Sequence, residues 1–173
     1  HSLQSNAELP PLVRHSHSTW QTQCAKPHTR GASTTLAALL VHDEQACVVN
    51  IGDSRVWRIR PTAGIAVCHQ ISRDHTLWQQ QRDQGDQQES DFAPANLYQA
   101  LSHSLTLGDP NTGVHAMHIW RSQLRPGDIF LLATDGLHGS AAPFKLHSHW
   151  DTHLSVQHNL YQLFALWGRR RRI

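Results

Sequence analysis

The chain has 173 residues, of which 39% are hydrophobic and 16% charged, one domain's worth of sequence and enough to bury a core. Its formal net charge of +2 comes from Arg169 to Arg172; without those four, 15 Lys and Arg fall to 11 against 13 Asp and Glu, so the body offers no field for nucleic acid or anionic lipid. The longest apolar run, Leu36 to Val41, is too short to cross a bilayer, and nothing near His1 reads as a signal peptide.

Residues 1–30 are polar, hold Pro10-Pro11 and Pro27, and show neither helical nor strand periodicity, which predicts an irregular segment. Leu36 to Val41 and Ala46 to Ile51 flank His42-Asp43-Glu44-Gln45 and read as a hairpin. Both strands are almost continuously apolar, which places them in the middle of a sheet, buried on two faces. Val56 to Arg60 alternates, Pro61 to Gly64 turns, and Ile65 to Ile71 returns, giving a second, less buried hairpin with Arg58 and Arg60 opposite Trp57 and Ile59. The four strands in succession predict a meander.

Asp74-His75-Thr76 offers caps for a helix beginning near Leu77, whose Gln-rich continuation to Gln88 packs only at its start. Gln84 to Asp91 reads as a mobile loop and Asn96 to Leu101 as a short helix. Val114 to Trp120 alternates as a strand, with Val114, Ala116, His118 and Trp120 on one side. Leu124 to Asp128 turns into a strand, Ile129 to Ala133, which Asp135-Gly136 ends. Val156, Leu160, Leu163, Phe164 and Trp167 form one stripe of an amphipathic helix that should lie on the sheet as core. There is no internal repeat.

Cys24, Cys47 and Cys68 are an odd set without metal-type spacing, and read as reduced, core-packing thiols of a cytoplasmic protein. Histidine is frequent, 15 in all, and densest in His15-Ser16-His17 and His147-Ser148-His149. In a strand either pair shares a face and could take a transition metal, although spacing fixes no third ligand.

Two stretches carry chemistry: Asn50-Ile51-Gly52-Asp53-Ser54-Arg55, and Leu131-Leu132-Ala133-Thr134-Asp135-Gly136-Leu137. In each, an apolar strand ends in a small residue and then an aspartate, and oxygen ligands at strand ends suit hard cations. Gly-Asp and Asp-Gly are also turn formers, so either stretch alone reads equally as a solvated loop.

Around these two lie Gly31-Ala32-Ser33-Thr34-Thr35-Leu36, Ile71-Ser72-Arg73-Asp74-His75-Thr76, Leu105-Thr106-Leu107-Gly108 and Arg125-Pro126-Gly127-Asp128. The succession from Gly31 to Leu137 resembles the PPM family, the metal-dependent (type 2C) serine/threonine protein phosphatases, in its bacterial form. The resemblance implies an α+β fold, a sandwich of two antiparallel β-sheets flanked by helices, incomplete in this chain. It divides the chain into an irregular segment (1–30), a partial phosphatase domain (31–168) and a basic tail (169–173). It further implies a monomer in the cytoplasm that acts on phosphoproteins, with no nucleic acid or membrane partner.

The cofactor implied is Mn2+ or Mg2+, two or three ions in a complete domain, activating a water that attacks phosphoserine or phosphothreonine. By the same resemblance Asp135 is the central metal aspartate and Asp53 an aspartate of a third, weaker metal position. Gly136 would permit close backbone approach, or be a plain turn residue. Thr34 and Thr35 match a strand-start motif with a structural role, and residues 77–104 match the flap beside the cleft. No side chain is carried over as catalytic.

The departures are as specific. The family's Arg-x-x-Asn-Glu-Asp and Asp-Gly-x-Gly-Gly segments belong well before Gly31, and residues 1–30 match neither. Its closing Asp-Asn-x-Ser/Thr belongs after the last helix, where this sequence gives Arg169 to Ile173; Asp151 precedes that helix and is a poor substitute. The chain therefore reads as a fragment or truncated product, with a catalytically inactive PPM-like binding module or pseudophosphatase as the alternative and a His-rich metal-binding protein as a third reading.

Overall fold

The computed structural model describes residues 10–24, 26–84, 100–108, 114–138 and 146–170. Three antiparallel ladders organise them. Strands β2 (Leu36–His42), β3 (Gln45–Ile51) and β7 (His118–Gln123) form one sheet in the order β2-β3-β7. Strands β5 (Ile65–Gln70), β4 (Arg55–Thr62) and β8 (Ile129–Ala133) form a second in the order β5-β4-β8. The short β1 (Ser33–Thr34) pairs with β6 (Leu105–Thr106).

The two larger sheets face each other. Val48 of β3 and Val56 of β4 are fully buried in one cluster, with Ala37, Leu39, Trp120 and Phe130 packed around them. The outer face of the first sheet buries Val49 and Ile51 against Val13 of helix α1 (Pro11–Cys24). The outer face of the second buries Trp57 and Ile59 against Leu146, Trp150 and Leu163, the last from helix α4 (Val156–Arg170). Strict alternation along β3 and β4 thus feeds two interfaces at once, and each fully buried Val or Ile contributes roughly 1.5–3 kcal/mol of transfer free energy. The architecture is α+β, helix on sheet on sheet on helix.

Several sequence expectations are corrected. The four strands from Leu36 to Gln70 are not one meander, because β3 pairs with β7 and β4 with β8, and the chain crosses from one sheet to the other between Ile51 and Arg55. Strand β4, expected to be the less buried, is the middle of its sheet, whereas β2 is only half-buried at a sheet edge among the described residues. Trp57 and Ile59 do face away from Arg58, whose guanidinium lies over the Trp120 ring, 5.4 Å from its centroid, between the sheets.

The expected irregular segment holds α1. Its contact face is only Val13, Trp20 and the buried Gln21, two turns apart, so too few apolar residues recur to show a period. Pro11 sits at the first helical position, where proline is compatible. Val114–Ala116 is a 3-10 turn and not strand, and β7 starts at His118. The predicted helix near Leu77 is α2 (Leu77–Asp83), with Thr76 as N-cap accepting from Gln79 N. The loop expected over Gln84 to Asp91 and the helix expected over Asn96 to Leu101 fall almost wholly outside the described residues; Leu101 itself bridges to Thr76. In α4, Leu160 and Leu163 pack on the sheet as expected, but Val156 and Phe164 are exposed, so the stripe is narrower than the sequence suggests. Cys24 is exposed and not core-packing; Cys47 and Cys68 are half-buried, and all three are free thiols.

Candidate functional site

The crossing from β3 to β4 is where the first aspartate sits. Gly52 adopts a φ of 96°, a left-handed conformation that a side chain rarely tolerates. A Cβ there would also overlap Cγ2 and Cβ of Thr35, so glycine is required twice over. Thr35 Oγ1 and Ser54 Oγ lie 3.0 Å apart and share a hydrogen bond. Thr35 thereby packs under the Gly-Asp-Ser-Arg turn, whereas Thr34 is exposed and its Oγ1 donates only to Thr35 O at 3.2 Å among the hydrogen bonds described.

A five-residue segment, Ser72 to Thr76, laces the same turn from the other side. Val56 N donates to Ser72 Oγ at 2.8 Å. The fully buried Asn50 donates to Arg73 O at 2.7 Å and accepts from Arg73 N at 3.2 Å. Arg55 grips both oxygens of the Asp74 carboxylate, Nε donating to Oδ1 (3.1 Å) and Nη2 to Oδ2 (2.5 Å), a two-pronged pairing that fixes direction as well as charge. Gly52 N donates to His75 Nδ1 at 3.2 Å, and His75 N donates to Gly52 O at 2.9 Å.

The second aspartate follows β8. Asp135 opens a single helical turn, α3 (Asp135–His138), with Leu137 N donating to Thr134 O at 3.0 Å. Strands β4 and β8 end their ladder at the pair Arg55 and Ala133. Asp53 and Asp135 each lie two residues past that pair, at the same end of the sheet. Burial pushes the half-buried Asp53 carboxyl above the ordinary carboxylate range, and the charges of Asp135 and Asp74 push it further; its own backbone N–H and His138 oppose the rise. Asp53 and Asp135 are therefore within electrostatic reach of each other. Gly136 joins Ser54 and Thr134 at the polar end of a cleft of about 570 Å3, whose apolar wall includes Leu131, Leu163 and Phe164.

Two carboxylates that repel each other at a strand end fit part of a divalent-cation site, since a cation would offset the penalty on Asp53. They do not complete one: among the described residues no group of three or more His, Cys, Asp or Glu side chains is placed to hold a metal ion. Asp151 does not supply a third ligand. Its carboxylate accepts from His153 N at 2.8 Å, and it borders a separate cavity with Gly64, at the opposite end of β4 from Asp53. Nor do the histidine pairs form a metal face. His15 and His17 lie on α1, and His147 and His149 on a 3-10 turn, where residues two apart point in widely different directions, so the strand premise fails.

Three contributors were not singled out as site residues from the sequence. Asp74 and His138 act on Asp53 electrostatically, and His75 holds Gly52. His138 is buried with its ring 5.6 Å from that of Trp57. Asp74 and His75 stood in a quoted motif, but nothing in their spacing says that the segment folds back on the Gly-Asp-Ser-Arg turn.

The sequence matches no protein-family profile and no curated protein. Solved structures do match. The serine/threonine phosphatase PstP/Ppp of Mycobacterium tuberculosis is 26% identical with a TM-score of 0.71, over 91% of this chain and 63% of its own. The serine/threonine phosphatase Stp1 of Staphylococcus aureus is 17% identical with a TM-score of 0.74, over 99% of this chain and 66% of its own. A PstP catalytic domain in complex with two manganese ions is 24% identical with a TM-score of 0.65. The chain has the fold of the bacterial PPM-type serine/threonine phosphatases and spans about two thirds of the length of those it matches.

Proposed function

We propose that the protein to which this chain belongs is a metal-dependent phosphoserine and phosphothreonine phosphatase of the PPM type. In that reading the chain contributes Asp135 and Asp53 as carboxylate ligands for Mn2+ or Mg2+, with Gly136 giving the ion's waters and the phosphate room against the backbone. The observation that carries it is the pairing of Asp53 and Asp135 at one end of the sandwich, each on a strand-end turn, in a fold shared with phosphatases. The bound metal would supply an acidified water as nucleophile and positive charge for the phosphoryl oxygens. What this chain's own residues do is hold the two carboxylates: Thr35, Ser54 and the Ser72–Thr76 segment for Asp53, and the β8 ladder for Asp135. A phosphoprotein substrate, a monomeric state and a cytoplasmic setting belong to this proposal, as does the assignment of residues 31–168 to the phosphatase domain.

The absence of a third described ligand favours a second reading, a PPM-like module that binds a partner without turning over. One experiment separates the two. Hydrolysis of a phosphothreonine peptide with Mn2+ is measured for the wild type, for Asp135→Ala and after chelation. Turnover lost in the last two supports the phosphatase; turnover that persists in either removes it, and none in the wild type supports the module.

A further inference from the structure

His75 belongs to no established or expected catalytic set, yet its ring makes two hydrogen bonds that tie separate parts of the fold to the aspartate turn. Gly52 N donates to Nδ1 at 3.2 Å, and Nε2 lies 2.8 Å from Ala116 O. A carbonyl oxygen only accepts and a backbone N–H only donates, so Nε2 carries the proton and Nδ1 is bare. The ring is a neutral imidazole in one defined tautomer. Its own backbone N donates to Gly52 O at 2.9 Å, so both backbone polar groups of Gly52 end on one residue.

That arrangement answers a mechanical problem. Gly52 has the most conformational freedom of any residue in the crossing, and it immediately precedes the carboxylate that needs a fixed place. Thr35 blocks one side by contact, but contact alone leaves the peptide free to rotate away. The Ala116 carbonyl, in the 3-10 turn before β7, takes the Nε2 proton and so leaves Nδ1 bare to accept from Gly52 N. It ties the ring to a second element of the first sheet's edge, and the His103 ring lies against it edge-on, 5.6 Å away between centroids.

We propose that His75, through the Gly52 N–H to Nδ1 bond, with the Nε2–H to Ala116 O bond setting the tautomer, is the positioning residue that fixes the Gly52 turn and so the place of the Asp53 carboxylate. The clamp stands on its own geometry. Only its consequence for a metal rests on the reading of Asp53 as a ligand.

Two substitutions divide the ring's bonds. Asn places an acceptor where Nδ1 stands and drops the Ala116 bond; Gln places a donor near Nε2 and drops the Gly52 bond. Long-range 15N correlation on the metal-free wild type should show the Nε2–H tautomer, and a protonated Nδ1 overturns the proposal without any variant. In His75→Gln the Gly52 amide should exchange with solvent about tenfold faster or more, and the residual dipolar coupling of the Asp53 amide should change; in His75→Asn both should stay near wild type. Equal behaviour of the two variants at Gly52 and Asp53 overturns the proposal. Mn2+ titration read by line broadening at Asp53 should then weaken about tenfold in His75→Gln only. A wild type that shows no broadening overturns the metal reading while the exchange and coupling measurements still decide the clamp.

Discussion

Asp53 and Asp135 leave the β4–β8 ladder at the same end, each two residues beyond the closing pair Arg55 and Ala133. An antiparallel register makes this a consequence of the strands: whatever fixes Arg55 opposite Ala133 also brings the two turns side by side, although 82 positions of chain separate them. The relationship sets the electrostatics of the site before any ligand is considered.

Removing one charge should relax the other. In Asp135→Asn the Asp53 carboxyl should titrate at lower pH than in the wild type, because one of the charges raising it has gone. Burial, the largest cause, is untouched by the substitution, so only the part of the rise due to Asp135 should be lost. Carboxyl 13C shifts of Asp53 followed against pH check this, and an unmoved Asp53 would separate the two side chains.

Gly52→Ala should destabilise the fold by about 1–3 kcal/mol from backbone strain alone, with more from the overlap at Thr35. Adding Thr35→Gly should recover only the overlap. Thermal unfolding of the two single variants and the double variant gives the partition, and full recovery in the double variant would show that the φ of 96° carries no cost.

How much of this was legible in the sequence differs by residue. The strand-end aspartates, the capping Thr76 and the strands around them could be read because each depends on neighbours within a few positions. The crossing between sheets could not, since Gly52 looks like any hairpin glycine until the partners of β3 and β4 are known. Asp74 and His75 act across about 20 residues on Arg55 and Gly52, and nothing local marks such a partner. Helix α1 was missed for the opposite reason: its buried face is too small to leave a period.

Acid should act through the half-buried histidines His75 and His118. Burial holds His75 and His118 below the ordinary imidazole pKa, and Arg73 adds to this in both. Each group binds its proton more readily when unfolded, so its contribution is complete above about pH 6.5 and is lost as pH falls through the lowered folded values. Denaturant midpoints should therefore drop below about pH 6.5, and His118→Gln should flatten that limb. A midpoint constant between pH 7 and 5 in the wild type would contradict the lowered values of both rings.

At lower pH a different pair takes over. Asp128, from the Pro-Gly-Asp turn, is held below the usual carboxylate range first by its hydrogen bonds with Arg60, at 2.6 Å from both Nε and Nη2, and then by Arg125 N. Its contribution is present above the unfolded aspartate pKa and disappears as pH falls through the depressed folded value. Asp128→Asn should lower the melting temperature at neutral pH and leave stability less dependent on pH in the acid range. An unchanged acid limb would place the pH dependence elsewhere.

Asn50 offers the sharpest contrast between packing and positioning. It is fully buried on β3, next to the equally buried Val49, but its side chain faces Arg73 and His118 whereas Val49 faces α1. Asn50→Leu keeps the branched heavy-atom shape and strands three polar partners: Arg73 N–H, Arg73 C=O and the His118 Nδ1 donor. At about 1–3 kcal/mol for each unsatisfied group, the cost should exceed about 3 kcal/mol. Val49→Ala removes two methyls from a packed cluster and should cost about 1–3 kcal/mol. The two should differ in kind as well as size, because only Asn50→Leu unties the segment that carries Asp74 and His75. Amide exchange should accelerate from Gly52 to Arg55 in Asn50→Leu and stay near wild type there in Val49→Ala. Equal acceleration at the turn in both variants would mean that global stability, and not the Asn50 to Arg73 bonds, holds the Asp53 turn in place.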